Sequence, residues 1–233
     1  MRYDPPLLSG RLQRRYQRFF VDVRLDDGRQ IVAHTNNTGR MTGCLVPQSR
    51  VFVAEHNNPK RKLRYSLEIA SAGRSYVCVN TTVANRLVAD AVNGRRLKMF
   101  DDFDTVRREV GYGERSRVDL LLSSPDDQRC YVEVKSVTLA ERGIALFPDA
   151  PSERARRHAE ELARVVSERQ RAAMVFVIQR GDCRAFAPAD AIDPAYGAAL
   201  RQAQARGVEL YALSSVVRRH GVRLRSQLVP LCL

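Results

Sequence analysis

The chain of 233 residues contains no tryptophan, and aromatic residues make up only 7% of it. Long apolar runs are missing too. The longest, Ala172 to Ile178, spans seven residues, where a membrane-spanning helix needs about 20. The opening Met1-Arg2-Tyr3-Asp4-Pro5-Pro6 lacks the apolar stretch of a secretory signal. Cysteine is sparse and odd in number: Cys44, Cys78, Cys130, Cys183 and Cys232, with no CxxC pair. That excludes a dense disulfide framework and, with four scattered histidines, a structural zinc site. We therefore expect a cytoplasmic chain with reduced thiols and no membrane partner. Lysine is nearly absent, at four residues against 35 arginines.

Basic charge is what the chain has in excess. There are 39 Lys and Arg against 26 Asp and Glu, a net charge of +13 and a pI of about 10.1. A pI above about 9 is the electrostatic footprint of a nucleic-acid partner. The excess is uneven: residues 1–82 hold 14 basic and 6 acidic side chains, residues 83–233 hold 25 and 20. We therefore expect two domains, 1–82 and 83–233, with different tasks.

Residues 7–81 read as β structure. Strand patterns run over 18–25, 30–34, 50–54, 66–70 and 75–79, with turn signals at Asp26-Asp27-Gly28 and Ala72-Gly73-Arg74. Five short strands in so little chain suggest a small OB-like barrel. Between two of them lies Lys60-Arg61-Lys62-Leu63-Arg64-Tyr65, a loop suited to tracking phosphates. Beyond residue 83 the period becomes helical over Val83–Val92. Strands follow at 115–122 and 130–137. Ser152 is a suitable N-cap for a helix to about 168, with Arg154, Arg157, His158, Glu161 and Arg164 on its polar face. The apolar run 172–178 reads as a strand buried on both faces. A helix over 193–206 ends at Gly207, and a last strand covers 208–213. This order predicts an α/β domain with a mixed sheet.

The chemistry concentrates on one hairpin, Arg117-Val118-Asp119-Leu120-Leu121-Leu122 and Tyr131-Val132-Glu133-Val134-Lys135-Ser136. Alternation puts Glu133 and Lys135 on one face, and Val118, Leu120 and Leu122 together on the core face of their strand. Folding the hairpin about residue 126 sets Asp119 across from Glu133, with Cβ atoms about 5 Å apart. Two carboxylates that close repel unless a cation lies between them. Mg²⁺ or Mn²⁺, which take oxygen ligands, would suit. Lys135 stands where a compact donor with an adjustable pKa could orient a water for attack on phosphate.

The spacing Asp119-x13-Glu133-x-Lys135 resembles the signature of the PD-(D/E)xK nucleases. The chain as a whole resembles the sugar fermentation stimulation protein A (SfsA) family. The matching strings are Asn37-Thr38-Gly39-Arg40-Met41-Thr42-Gly43-Cys44, Val79-Asn80-Thr81, Ala84-Asn85-Arg86-Leu87, Glu114-Arg115-Ser116-Arg117-Val118-Asp119, the run Tyr131 to Ala140, and Phe147-Pro148-Asp149-Ala150. The resemblance implies an OB-fold domain followed by a nuclease-like domain, DNA binding without strong sequence preference, and a link to sugar-utilisation genes. It implies metal ligands at Asp119 and Glu133 and a catalytic lysine at Lys135. A further acid is expected from the first helix, Asp90, with Glu109 or Glu114 as rivals; Val118 stands where the pattern has proline. Gln170 and Arg171 are candidate phosphate contacts. For nucleic-acid binding we expect Arg14, Arg15, Arg18, Lys60, Arg61, Lys62 and Arg64, with Tyr16 and Tyr65 able to stack on bases or to fill the barrel core. DNA is the expected partner, with RNA as a second. Two functions follow: a divalent-metal-dependent nuclease, or a catalytically silent DNA-binding regulator of sugar-metabolism genes.

Overall fold

A computed structural model describes residues 1–112 and 116–233. The first part of the chain supplies β1 (Leu8–Tyr16), β2 (Phe20–Leu25), β3 (Gln30–His34), β4 (Arg50–Glu55), β5 (Tyr65–Ala72) and β6 (Ser75–Cys78). They form one sheet in the order β3-β2-β1-β4-β5-β6, and a parallel pairing of β3 with β5 closes five strands into a barrel. Leu12, Val21, Val23, Leu25, Ala33, Val51, Val53 and Leu67 fill its interior. β1 is absent from the strand patterns read above. It holds few apolar residues, and its register with β2 shifts between Leu12 and Arg14, so no clean alternation marks it.

The second part holds α1 (Thr82–Asn93), β7 (Thr105–Tyr112), β8 (Ser116–Ser123), β9 (Arg129–Val137), β10 (Leu139–Glu141), β11 (Ile144–Phe147), α2 (Glu153–Val165), β12 (Gln170–Ile178), β13 (Ala185–Pro188), α3 (Pro194–Ala205), β14 (Glu209–Arg218) and β15 (Gly221–Leu228). Its main sheet runs β15-β14-β12-β9-β8-β7, with β12 parallel to β9 and β14 and the other pairs antiparallel; β10, β11 and β13 form a small side sheet. The mixed sheet is thus as expected. β12 explains the two-layer packing. Ala173, Val175 and Val177 face the α1 cluster, while Met174, Phe176 and Ile178 face α2 and α3. Ser152 Oγ accepts from Ala155 N–H at 3.1 Å and caps α2. Gly207, at φ +94°, turns the chain after α3, a conformation that favours glycine.

The two parts are knit together. Phe52, Ile69 and Cys78 of the barrel belong to the same apolar cluster as α1 and the sheet. Cys78 N–H donates to the Gln179 carbonyl at 2.9 Å. The expected division at residue 82 is also crossed from the N-terminal side: the Met1 ammonium donates to Val222 O at 2.9 Å, and Val222 N–H returns a bond to Met1 O at 3.0 Å. Residues 1–3 therefore lie along β15, not in the barrel. All five cysteines are free thiols. Among the described residues no helix is long and apolar enough to cross a membrane.

Candidate active site

The β8–β9 hairpin has the register that folding about residue 126 requires: Leu120 pairs with Val132, Leu121 with Tyr131, Leu122 with Cys130 and Ser123 with Arg129. The ladder stops before Asp119 and Glu133 because Asp119 Oδ2 itself accepts the Val134 N–H at 2.7 Å. On its other side Asp119 skips its β7 partner, Glu109, whose φ is +53°. Alternation breaks there. Val118 and Leu121 face α2, while Leu120 and Leu122 face α1, which corrects the expectation that 118, 120 and 122 share a face. The kink lets Asp119 lie in a cleft together with Glu133 and Lys135.

That cleft, of about 760 Å³, opens between the barrel and the sheet. Its barrel wall is Arg15, Arg18 and Asn37–Arg40; its other walls are the start of α1 and the segment Phe147–Ser152. A second cavity of about 410 Å³ is lined by Glu109, Arg117, Arg157 and His158, and shares Asp119, Glu133 and Arg154 with the first. The carboxylate pair therefore sits where the two spaces meet.

Each carboxylate is held by name. Asp119 Oδ1 accepts from Asn85 Nδ2 of α1 at 2.6 Å. Glu133 is buried, and its Oε1 accepts from Lys135 Nζ at 2.7 Å and from His158 Nδ1 at 2.5 Å. Arg154 Nε donates to His158 Nε2 at 3.4 Å, which places the imidazole proton on Nδ1. Glu133 Oε2 is buried with no hydrogen-bond partner. Burial pushes the Asp119 carboxyl up to about 6, with the charge of Glu133 adding to the rise against the Val134 N–H, Lys135 and Asn85. Burial acts on Glu133 in the same direction, but Lys135 and His158 together overcome it and hold that carboxyl below its ordinary range.

A divalent ion fits this donor set. Two carboxylates converge, burial and the charge of Glu133 both raise the Asp119 carboxyl, and one buried oxygen is unpartnered. Among the described residues no three His, Cys, Asp or Glu side chains are grouped as a ready-made metal cage. An ion here would complete its shell with water, backbone oxygen or phosphate, as small hard cations do.

The other expected residues fall in different places. Asp90 lies on the exposed face of α1 in an i,i+4 ion pair with Arg86 and does not line the cleft. The residue α1 sends to the site is Asn85, so the expectation of a ligand at Asp90 is corrected. Glu109 lines the second cavity, whereas Glu114 lies outside the described residues. Arg171, at the start of β12, is bidentate to Glu209 and bonded to Met99 O. With Gln170 it pairs with the 129–130 end of β9, three to four residues or roughly 10–13 Å along the strand from Glu133; neither lines the cleft. Arg15 does line it, but its five N–H groups all go to the carbonyls of Arg18, Asn37, Gly39 and Arg40. It braces the wall and has no donor left for a phosphate. Arg18 lines the cleft with an exposed side chain. Arg14 pairs with Asp22 at 2.6 Å and covers the Tyr16 ring. Lys60, Arg61, Lys62 and Arg64 sit on the β4–β5 loop outside the cleft, Arg64 paired with Glu55. Tyr65 packs against the barrel core, its hydroxyl donating to Glu55.

The pattern missed His158, Arg154 and Asp149 as site residues. The sequence puts His158 on the polar face of α2, yet that face turns toward Glu133. Asp149 Oδ2 accepts the Met41 N–H at 3.0 Å, and a Cβ on Gly39 would stand 2.3 Å from its carboxylate. The only sequence signal for this contact is that both segments occur among the family-like strings.

The family model described as "Sugar fermentation stimulation protein RE domain" matches residues 82–221, and that described as "SfsA N-terminal OB domain" matches 14–79. A sugar fermentation stimulation protein homolog of Geobacter sulfurreducens is 49% identical over 96% of this chain and 95% of its own. One from Nitrosococcus oceani is 48% identical over 98% of both. The solved structure of Pyrococcus furiosus SfsA in complex with Ca²⁺ superposes with a TM-score of 0.90 at 26% identity, over 100% of this chain and 98% of that one. With matches that span both of its parts, this chain belongs to the sugar fermentation stimulation protein (SfsA) family.

Proposed function

We propose that the chain is a DNA-binding protein with a phosphodiesterase site that works with Mg²⁺ or Mn²⁺. One observation carries this reading: Asp119, Glu133 and Lys135 share one cleft, and Glu133 keeps a buried oxygen free of partners. Asp119 and Glu133 would hold the ion. The Ca²⁺ complex of the Pyrococcus furiosus relative supports a hard, oxygen-seeking cation. When bound, such an ion supplies Lewis-acid stabilisation of charge on phosphate.

The chain's own groups do the rest. Lys135 spends one N–H on Glu133 and keeps two with which to orient a water against phosphorus. His158 and Lys135 together fix Glu133 Oε1, so its other oxygen is directed by default. Arg18 and Arg154 supply positive charge to the cleft on either side of the carboxylates.

The test is cleavage of labelled single- and double-stranded DNA in Mn²⁺. Asp119→Asn, Glu133→Gln and Lys135→Met should each lower the rate at least about a hundredfold, with binding in chelator largely retained. A parent protein that never cuts any DNA overturns the enzyme. The silent, regulatory reading rests on a different observation: Lys135 already pairs with Glu133 at 2.7 Å without any ion, and His158 donates to the same oxygen.

A further inference from the structure

On the barrel, the β1–β2 turn stands apart. Gln17 and Arg18 are both left-handed, at φ +47° and +63°, and neither is glycine. Such backbone is costly and persists only where its surroundings hold it. Here the Arg15 guanidinium donates twice to Arg18 O, and Thr35 N–H donates to Phe19 O at 2.8 Å. The result is a fixed tip that carries Phe19 outward, 41% exposed. Its ring lies parallel to that of His34, with centroids 6.1 Å apart.

A basic path begins at this ring. His34 pairs across the barrel closure with Ser66, and Ser66 Oγ accepts from Arg61 Nη2 at 2.8 Å. Lys60 and Lys62 flank Arg61, and neither is paired with a carboxylate among the described residues. On the other side of Phe19, Arg18 lines the cleft that holds Asp119 and Glu133. An exposed flat ring between positive groups is what a single strand recognises: bases stack on the ring while phosphates follow the charge. A duplex keeps its bases inside and has no use for Phe19.

We propose that Arg18, Phe19, His34 and the Lys60–Lys62 loop form a track that binds single-stranded DNA and leads it to the cleft. This rests on the nucleic-acid reading above but needs neither metal nor cleavage. DNA is the strand named because this proposal extends the DNA reading above, and an RNA strand is one outcome of the test.

The experiment is fluorescence anisotropy with the full chain in chelator, using a dT oligomer of about 16 nucleotides, a duplex of equal length and the matching rU oligomer. The dT oligomer should bind at least tenfold more tightly than the duplex. Phe19→Ala should weaken dT binding roughly tenfold and leave duplex binding unchanged, and Phe19→Trp should restore it. Duplex binding equal to or tighter than dT, a Phe19→Ala variant that binds dT as the parent does, or tighter binding of rU each overturns the proposal. Because nothing is cut in chelator, loss of the phosphodiesterase reading would not alter these outcomes.

Discussion

At Glu133 the two carboxylate oxygens live in different surroundings, one gripped by Lys135 and His158 and the other buried alone. An outer partner that orients a ligand typically changes metal affinity 10- to 100-fold when removed. His158→Ala should weaken Mn²⁺ binding by about that factor in calorimetry, while His158→Gln, which can still donate to Oε1, should recover most of it. Asp119 gives a pH signature. Its folded pKa of about 6 lies above the ~3.9 of an unfolded aspartate. The folded state therefore binds this proton more tightly, and the stability it contributes is complete below about pH 4 and lost as pH rises through 6. Asp119→Asn carries no such loss. In metal-free urea unfolding its stability relative to the parent should rise by about 2–3 kcal/mol between about pH 4 and pH 7. Mn²⁺ has to displace the same proton, so its affinity should increase over about pH 5 to 7; a flat profile would remove Asp119 from the ligand set.

Among the elements, the β3–β4 loop is the one the cleft depends on. Arg15 ties its carbonyls from the barrel side of the cleft, and Asp149 receives Met41 N–H from the opposite wall. Arg15→Lys keeps the charge but loses the planar fork. It should cost about 1–3 kcal/mol in thermal unfolding, with little change in the salt dependence of DNA binding, whereas loss of a direct phosphate contact would reduce that dependence. What the sequence made legible among the elements follows the same physics. The β8–β9 register was readable because a short polar turn sits between two apolar runs. The capped start of α2 was readable because Ser152 leads into apolar residues at helical spacing. The acid on α1 was not: Asp90 and Asn85 lie five residues apart on one helix, and the choice between them depends on how that helix is rotated against the sheet, which only tertiary packing decides. His158 was hidden for a similar reason. Arg154, Arg157 and Glu161 give its face a solvated look, while that face in fact closes over a buried carboxylate.

Over the whole molecule the net charge of +13 predicts an affinity for DNA that falls linearly in log–log form with salt. Lys60→Gln and Lys62→Gln should each lower the slope by about 1, and an unchanged slope would place the bound strand elsewhere. The division into a basic barrel and a mixed-sheet domain was legible from the charge split and from the change of period near residue 83. That the chain's first residues lie along β15 was not, since three residues carry no pattern.

That short N-terminal stretch has a mechanical consequence. Residues 1–3 add a tie along β15 to the chain's passage into α1 and to the contacts at Cys78 and Met41, so the barrel is not a body on a single tether. Removing residues 1–82 would strip the outer border of β15, where Met1 bonds Val222, and open the apolar cluster that holds Val222 and Leu224 and against which Met1 and Tyr3 pack. Bare strand borders recruit other chains, so the isolated remainder should self-associate on size-exclusion chromatography to a greater extent than the intact protein.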